Sequence, residues 1–165
     1  MQLPKISARI VAHDSDYVVA KWHATVIGMF RGAATLQHVL VISKTCSASL
    51  AEGRGDVTYL SVIERSSPAP SETVRAELAT WSRDVVSKLA MAVIVAEGGG
   101  FKNALVRGVG VALTLLAPHK VPFKFTSSVE EGAALLAPFL PEGTGGAAEL
   151  VLAIAAVRKL WETMP

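Results

Sequence analysis

Two apolar segments on either side of a helical stripe most restrict how this chain can fold. Residues 57–64 (VTYLSVIE) have the pattern of a buried strand, and residues 92–96 (AVIVA) are apolar without alternation, which is typical of strands covered by helices on both faces. Between these segments, five apolar residues recur at helical spacing: Val74, Leu78, Trp81, Val85 and Leu89. The strand–helix–strand order predicts a parallel pair of strands in an α/β domain.

The remaining pattern extends this sheet on both sides. Strands are predicted at 6–13, 17–22, 25–31 and 122–126. Helices are predicted at 35–52, at 101–117, from Ser127 or Ser128 to Pro138, and at 147–162. Because three strands precede the first helix and strands and helices alternate afterwards, we expect one α/β domain with a mixed sheet.

The composition excludes several classes of protein. Hydrophobic residues make up 51% of the chain and charged residues 18%, which excludes an intrinsically disordered chain. Cys46 is the single cysteine, so no disulfide can form within the chain. A formal net charge of +2 is too small to indicate a nucleic-acid partner, and none is predicted.

The distribution of apolar residues bears on location and assembly. The start of the chain lacks a long apolar leader, and the longest apolar run, 150–157, is shorter than the roughly 20 residues that cross a bilayer. We therefore expect a cytoplasmic protein with no membrane insertion. The predicted helices 101–117 and 147–162 are apolar on most sides, so we expect at least one of them to be covered by the other, by a second subunit or by a ligand. A homo-oligomer is the resulting expectation.

No complete catalytic or metal-binding motif is present. The four histidines are far apart in sequence, and Cys46 lies on the apolar face of its predicted helix. A G-x-S-x-G nucleophile elbow is also missing. The sequence therefore predicts no metal, no cofactor and no catalytic residue.

A glycine run is the one local feature that suggests ligand chemistry. Gly98, Gly99 and Gly100 follow a predicted buried strand and precede a predicted helix that carries Lys102 and Arg107. Backbone N–H groups at such a helix start can hold a phosphate, so these five residues are a candidate anion site. The alternative is a tight turn between strand and helix, because the dinucleotide and P-loop fingerprints are both incomplete.

From about residue 18 to residue 140 the chain resembles the STAS domains of sulfate transporters and anti-sigma-factor antagonists, in particular their SpoIIAA-like branch. Four segments carry the resemblance: TVIGMFRG (25–32), VTYLSVIE (57–64), MAVIVAEGGGF (91–101) and PFKFTSSVEEGAALLAPFL (122–140). The resemblance implies a mixed sheet of four or five strands with helices mainly on one face. It places a STAS-like domain at 1–141 and leaves a linker and an extra C-terminal helix at 142–165.

The resemblance also implies a function. Proteins of this family act without catalysis by docking onto partner proteins, and some are switched by phosphorylation of a serine between a strand and a helix. Ser66 or Ser67 occupies that place here, although the family's neighbouring Asp and Gly are missing. We expect a self-associating regulatory or scaffolding module with an unidentified protein partner. The alternatives are a binding protein for a small apolar ligand or lipid, with its pocket between the sheet and the predicted helix 101–117, and an enzyme that uses the glycine run for a phosphorylated substrate.

Overall fold

A mixed sheet forms the centre of the protein. The computed structural model describes residues 8–99 and 122–165, and within them six strands lie in the order β1-β2-β3-β4-β5-β6. The strands are β1 (Arg9–His13), β2 (Tyr17–Trp22), β3 (Thr25–Phe30), β4 (Thr58–Ile63), β5 (Met91–Ala96) and β6 (Phe123–Thr126). The first three strands pair antiparallel, and β3 to β6 pair parallel. The predicted α/β class and mixed sheet are confirmed.

The described residues contain four α-helices: α1 (Leu36–Ala51), α2 (Glu72–Asp84), α3 (Val129–Leu136) and α4 (Gly146–Thr163). Side-chain oxygens of Thr35, Ser71 and Ser128 cap the first three helices by accepting a backbone N–H in the first turn. The start of α4 has no side-chain cap, and Gly145 adopts a left-handed φ of 83° there. These starts agree with the sequence signals to within two residues.

Helices cover the sheet on both sides. On the first face, α1 and α2 pack against the strand side chains that point toward these helices, among them Val19, Val26 and Tyr59. On the second face, α3 and α4 pack against the alternate side chains, such as Ile27 and Leu60. The period of two along each strand divides the core into these two halves.

Three expectations are corrected by this architecture. The sheet has the six strands that the residue pattern predicted, rather than the four or five that the STAS resemblance implied, because both strands of the opening hairpin and β6 join it. Helices are not mainly on one face, because α3 and α4 bury the second face. The helical stripe after Ser71 ends at Asp84 and continues as a 3₁₀ turn at Val86–Lys88, although Val85 and Leu89 remain buried.

The last helix buries part of its apolar surplus and leaves Leu152 and Leu160 exposed. Its inward side chains, among them Leu150, Ile154 and Trp161, are buried against the sheet and α3. The predicted helix at 101–117 lies outside the described residues.

Candidate functional site

An apolar cavity of about 120 Å³ lies between the first face of the sheet and the helices above it. Its floor includes Phe30, Ile94 and Phe125 from three strands of the sheet, and α2 contributes Leu78 and Trp81 to its wall. An engineered cavity of about 150 Å³ holds a benzene molecule in another protein, so this space is of the size of one small ring.

The cavity extends to the surface loop between β4 and α2. Ser67, Pro68 and Pro70 of this loop belong to its lining. The Ser67 side chain is 4% exposed, and its hydroxyl donates a hydrogen bond of 2.9 Å to the Gly32 carbonyl. The loop therefore connects the cavity with the end of β3.

One tyrosine of the floor is enclosed by protein. Tyr59 lies beneath Trp81, with the two rings edge to face at 5.2 Å between centroids. A side chain on Gly28 would place its Cβ 2.7 Å from the Tyr59 oxygen, so glycine in β3 makes room for the phenol. Burial raises the pKa of Tyr59, and a hydrogen bond with Ser61 opposes this effect only in part. The phenol therefore stays protonated at physiological pH.

Two buried polar atoms, in residues that line the cavity, have no hydrogen-bond partner among the described residues. Trp81 is 6% exposed and Ser82 is fully buried, and both residues line the cavity. Trp81 Nε1 and Ser82 Oγ make no hydrogen bond among the described residues. Most buried polar groups in proteins are hydrogen-bonded, so two unpaired groups in adjacent residues of one cavity wall require an explanation.

The other feature of this end of the molecule is a chain of ion pairs at the carboxyl ends of the parallel strands. Arg31 makes two hydrogen bonds to Glu64, of 2.8 and 3.2 Å, and Arg158 of α4 makes one of 2.7 Å to Glu97. Arg158 also lies 3.7 Å from Glu64. The Arg31 guanidinium stacks 4.0 Å from the centre of the Trp161 ring. The bond to Glu64 raises the pKa of Arg31.

This chain of charges has the character of a structural clasp. Two cations and two carboxylates alternate, so their charges balance and each is engaged within the protein. The clasp ties the ends of β3, β4 and β5 to α4, and it leaves the cavity on the first face uncharged.

The candidate switch serines differ in access. Ser66 is exposed and donates a hydrogen bond of 2.8 Å to the Arg31 carbonyl, whereas Ser67 is buried. A kinase could reach the Ser66 hydroxyl directly, but the loop would have to open before it reached Ser67.

The candidate anion site is described only in part. Gly98 has a left-handed φ of 94°, and a Cβ there would lie 3.3 Å from Arg65 Cγ, so the glycine run and the serine loop are neighbours. Gly100, Lys102 and Arg107 lie outside the described residues. No group of three or more metal-ligating side chains occurs in the described ranges 8–99 and 122–165. Within the same ranges, no helix combines the length and apolar character needed to cross a membrane.

Sequence reasoning expected a ligand pocket against the predicted helix 101–117, which lies outside the described residues, and it did not place one beneath α2. Trp81 belongs to the apolar stripe of α2, and such a stripe more often forms core than a binding site. The sequence offered one signal of an unusual helix surface, because Ser82 is a polar residue beside the buried side of an amphipathic helix. The partners of Arg158 could not be read from the sequence, because Glu64 and Glu97 are distant in the chain.

No family model matches the chain, and neither a curated protein nor a solved structure matches it significantly. The resemblance to STAS domains therefore stays a prediction.

Proposed function

We propose that this chain is a non-enzymatic regulatory module of the STAS-like kind that responds to a small apolar ligand. The ligand occupies the cavity beneath α1 and α2, and the surface loop that carries Ser66 and Ser67 transmits its presence to a protein partner. This proposal joins the interaction module and the apolar-ligand protein, which the sequence offered as separate functions.

The observation that carries the proposal is the continuity between cavity and loop. Ser67 both lines the cavity and holds the Gly32 carbonyl at the surface. A ligand that moves Ser67 changes the hydrogen bond between the β4–α2 loop and Gly32, which follows β3. The free energy of that change is available for coupling to a partner.

The chemistry of the wall favours binding over catalysis. Among the described residues that line the cavity there is no carboxylate, histidine, lysine or arginine. General acid–base catalysis commonly relies on such groups, whereas an apolar wall with a few polar atoms is typical of a ligand site.

Benzene is the probe that tests the cavity. A ligand at ten times its Kd stabilises the folded state by about 1.4 kcal/mol, so we expect a rise in Tm that saturates with benzene concentration. Amide signals of Phe30 and Trp81 should move in the same titration. Leu78→Phe should fill the cavity and abolish both effects.

The matched control is Leu152→Phe, the same substitution at a site on α4 that is 53% exposed. This variant should bind benzene as the unaltered protein does. Saturating benzene that changes neither Tm nor the amide signals would refute a ligand-binding cavity.

Self-association is a second proposal, and it is favoured by two leucines on α1. Leu36 and Leu40 are one helical turn apart and are 47% and 43% exposed. We expect light scattering over a dilution series to give a dimer or larger assembly that dissociates in Leu36→Ser/Leu40→Ser. Leu152→Ser on the opposite layer should leave the mass unchanged, and a monomer at all concentrations would contradict the proposal.

A further inference from the structure

We propose that His38 makes the cavity sensitive to pH: in mild acid its ring takes up a proton at Nδ1, the start of α1 moves away from the ring, and ligand binding weakens. This inference rests on the proposed function, because it describes the regulation of a ligand in that cavity.

The two ring nitrogens of His38 have different partners. Nε2 lies 3.0 Å from Asp14 Oδ2, and Nδ1 accepts a hydrogen bond of 3.2 Å from the Thr35 amide. An ionised carboxylate can only accept, so Nε2 carries the hydrogen and donates it, whereas the lone pair of Nδ1 faces the amide. Both partners therefore fit the neutral ring, and they fix its tautomer.

Asp14 keeps the Nε2 hydrogen in place as the pH falls. Partial burial acts to raise the pKa of Asp14, but hydrogen bonds from the Asp16 amide and from His38 contribute to holding it below its usual 3.8. Histidines commonly take up their second proton between about pH 5 and pH 8, where Asp14 is still ionised. The Nε2 hydrogen stays with the carboxylate, so a second proton can bind only at Nδ1.

A proton at Nδ1 faces the Thr35 N–H, so two donors oppose each other and their hydrogen bond is lost. That bond is one half of a capping box, in which Thr35 Oγ1 also accepts a hydrogen bond of 3.3 Å from the His38 amide. The bond between the charged ring and Asp14 strengthens at the same time. The ring therefore stays with Asp14, and the backbone at Thr35 moves.

The aromatic neighbours of His38 remain neutral in this pH range. The Tyr17 ring of β2 stacks on the imidazole at 3.8 Å between centroids, and the Phe30 ring of β3 lies 6.2 Å away. Burial raises the pKa of Tyr17, and the charge of Asp14 adds to this effect. The stacked phenol therefore holds the position of the imidazole without taking part in the titration.

The charged groups around the ring leave the new proton uncompensated except by Asp14. The first turn of α1 has no acidic side chain, and the partial positive charge at a helix start repels a cation. Asp16 of the β1–β2 turn lies against Gly32, and Arg31 after β3 is engaged with Glu64. Acid therefore favours the conformation in which the start of α1 has moved away from the charged ring.

The capping box lies directly behind the cavity wall. Ala34 and Val39 line the cavity, and they are the chain neighbours of Thr35 and His38. Phe30, whose ring is close to the imidazole, also lines it. A shift of the backbone at Thr35 displaces Ala34, so a ligand loses contacts with this part of the wall.

Benzene is the probe for the test, and its Kd is measured by amide shifts in the full chain at about pH 8 and about pH 5. Loss of one hydrogen bond behind the wall should weaken benzene by roughly fivefold at the lower pH. Without benzene, the Thr35 amide signal should move over the same pH range as the ring signals of His38.

His38→Gln is the informative variant, because glutamine at this position of a capping box accepts the same N–H but does not titrate. Its Kd for benzene should be equal at the two pH values. His13→Gln replaces an exposed histidine of β1 and is the matched control, which should keep the pH effect of the unaltered protein.

The outcomes separate the pH response from the ligand function. Benzene that binds the unaltered protein equally at both pH values would overturn the pH response and leave the cavity function standing. A Thr35 signal that stays constant while the His38 ring titrates would also overturn it, and this measurement needs no variant. Failure of benzene to bind at either pH would overturn the function and the inference together.

Discussion

The two faces of the sheet are packed differently, although each strand contributes to both. The second face holds the largest fully buried side chains, which include Ile27, Met29, Leu60, Leu136 and Ile154, whereas the first face contributes only valines to that group. The first face instead contains the cavity. All three unpartnered buried side-chain atoms of the described residues also lie on its helices α1 and α2.

This difference separates stability from recognition. Long aliphatic side chains that are closed off from solvent pack the second face tightly. The first face forgoes part of that packing, and functional sites commonly carry such local compromises. We therefore expect substitutions on the second face to affect folding and those on the first face to affect binding.

Leucine truncation should reveal this contrast most strongly. Leu136 of α3 is fully buried on the second face, whereas Leu78 of α2 is half-buried beside the cavity. Leu136→Ala should lower the free energy of unfolding by about 3 kcal/mol because it opens a new void. Leu78→Ala should cost about 1 kcal/mol, because it enlarges a space that already exists.

Urea denaturation of both variants provides the measurement. Leu152→Ala, at an exposed site of α4, is the control and should remain within about 0.5 kcal/mol of the unaltered protein. Equal losses for Leu136→Ala and Leu78→Ala would show that the two faces are equally well packed.

A glycine on the second face allows the packing to be tested by adding a methyl group rather than by removing side-chain atoms. A Cβ on Gly132 of α3 would lie 2.8 Å from Val95 Cγ2 of β5, which is closer than side chains tolerate. Gly132→Ala should therefore cost about 2 kcal/mol, although alanine alone would favour the helix by up to about 1 kcal/mol. Ala134→Gly, at an exposed site of the same helix, measures that helix preference separately. A more stable Gly132→Ala variant would mean that α3 is loosely packed.

The sequence predicted the strands better than the layers. The unalternating run at 92–96 already indicated cover on both faces, and the structure confirms this, whereas the one-sided arrangement implied by the STAS resemblance is wrong. The cap at Ser128 could be predicted because capping is local in the sequence. The cavity could not, because its volume depends on how α1 and α2 lie over the four strands β3 to β6. The pairing of Arg158 with Glu97 likewise depends on residues distant in the chain.

Asp14 connects the two helical layers, so it tests whether they are coupled. Its carboxylate accepts a hydrogen bond of 3.0 Å from His38 of α1, and its carbonyl accepts one of 2.7 Å from the Trp161 indole of α4. Partial burial acts to raise the pKa of Asp14, but hydrogen bonds from His38 and from the Asp16 and Tyr17 amides outweigh it and hold the pKa below its usual 3.8.

Because the pKa of Asp14 is lower in the folded state, its stabilising effect is complete above the usual pKa and is lost as the pH falls through the folded value. Asp14→Asn should therefore lower the free energy of unfolding by about 1 kcal/mol near neutral pH. The difference should shrink in acid, as checked by urea denaturation at several pH values. A difference that stays constant down to the acid transition would assign the loss to geometry rather than to the carboxylate charge.

Ser82 should give the smallest effect on stability, and the sign of that effect is the informative part. Ser82→Ala removes a buried hydroxyl that has no partner among the described residues, so the folded protein should become more stable by about 0.5 to 1 kcal/mol. Ser47→Ala, at an exposed site of α1, supplies the change in helix preference alone and should be subtracted. If Ser82→Ala is destabilising after that subtraction, the hydroxyl supports the fold of the free protein and the first face is not held open for a ligand. A gain in stability would mean that the buried hydroxyl lowers the stability of the first face, a local cost of the kind that natural proteins carry.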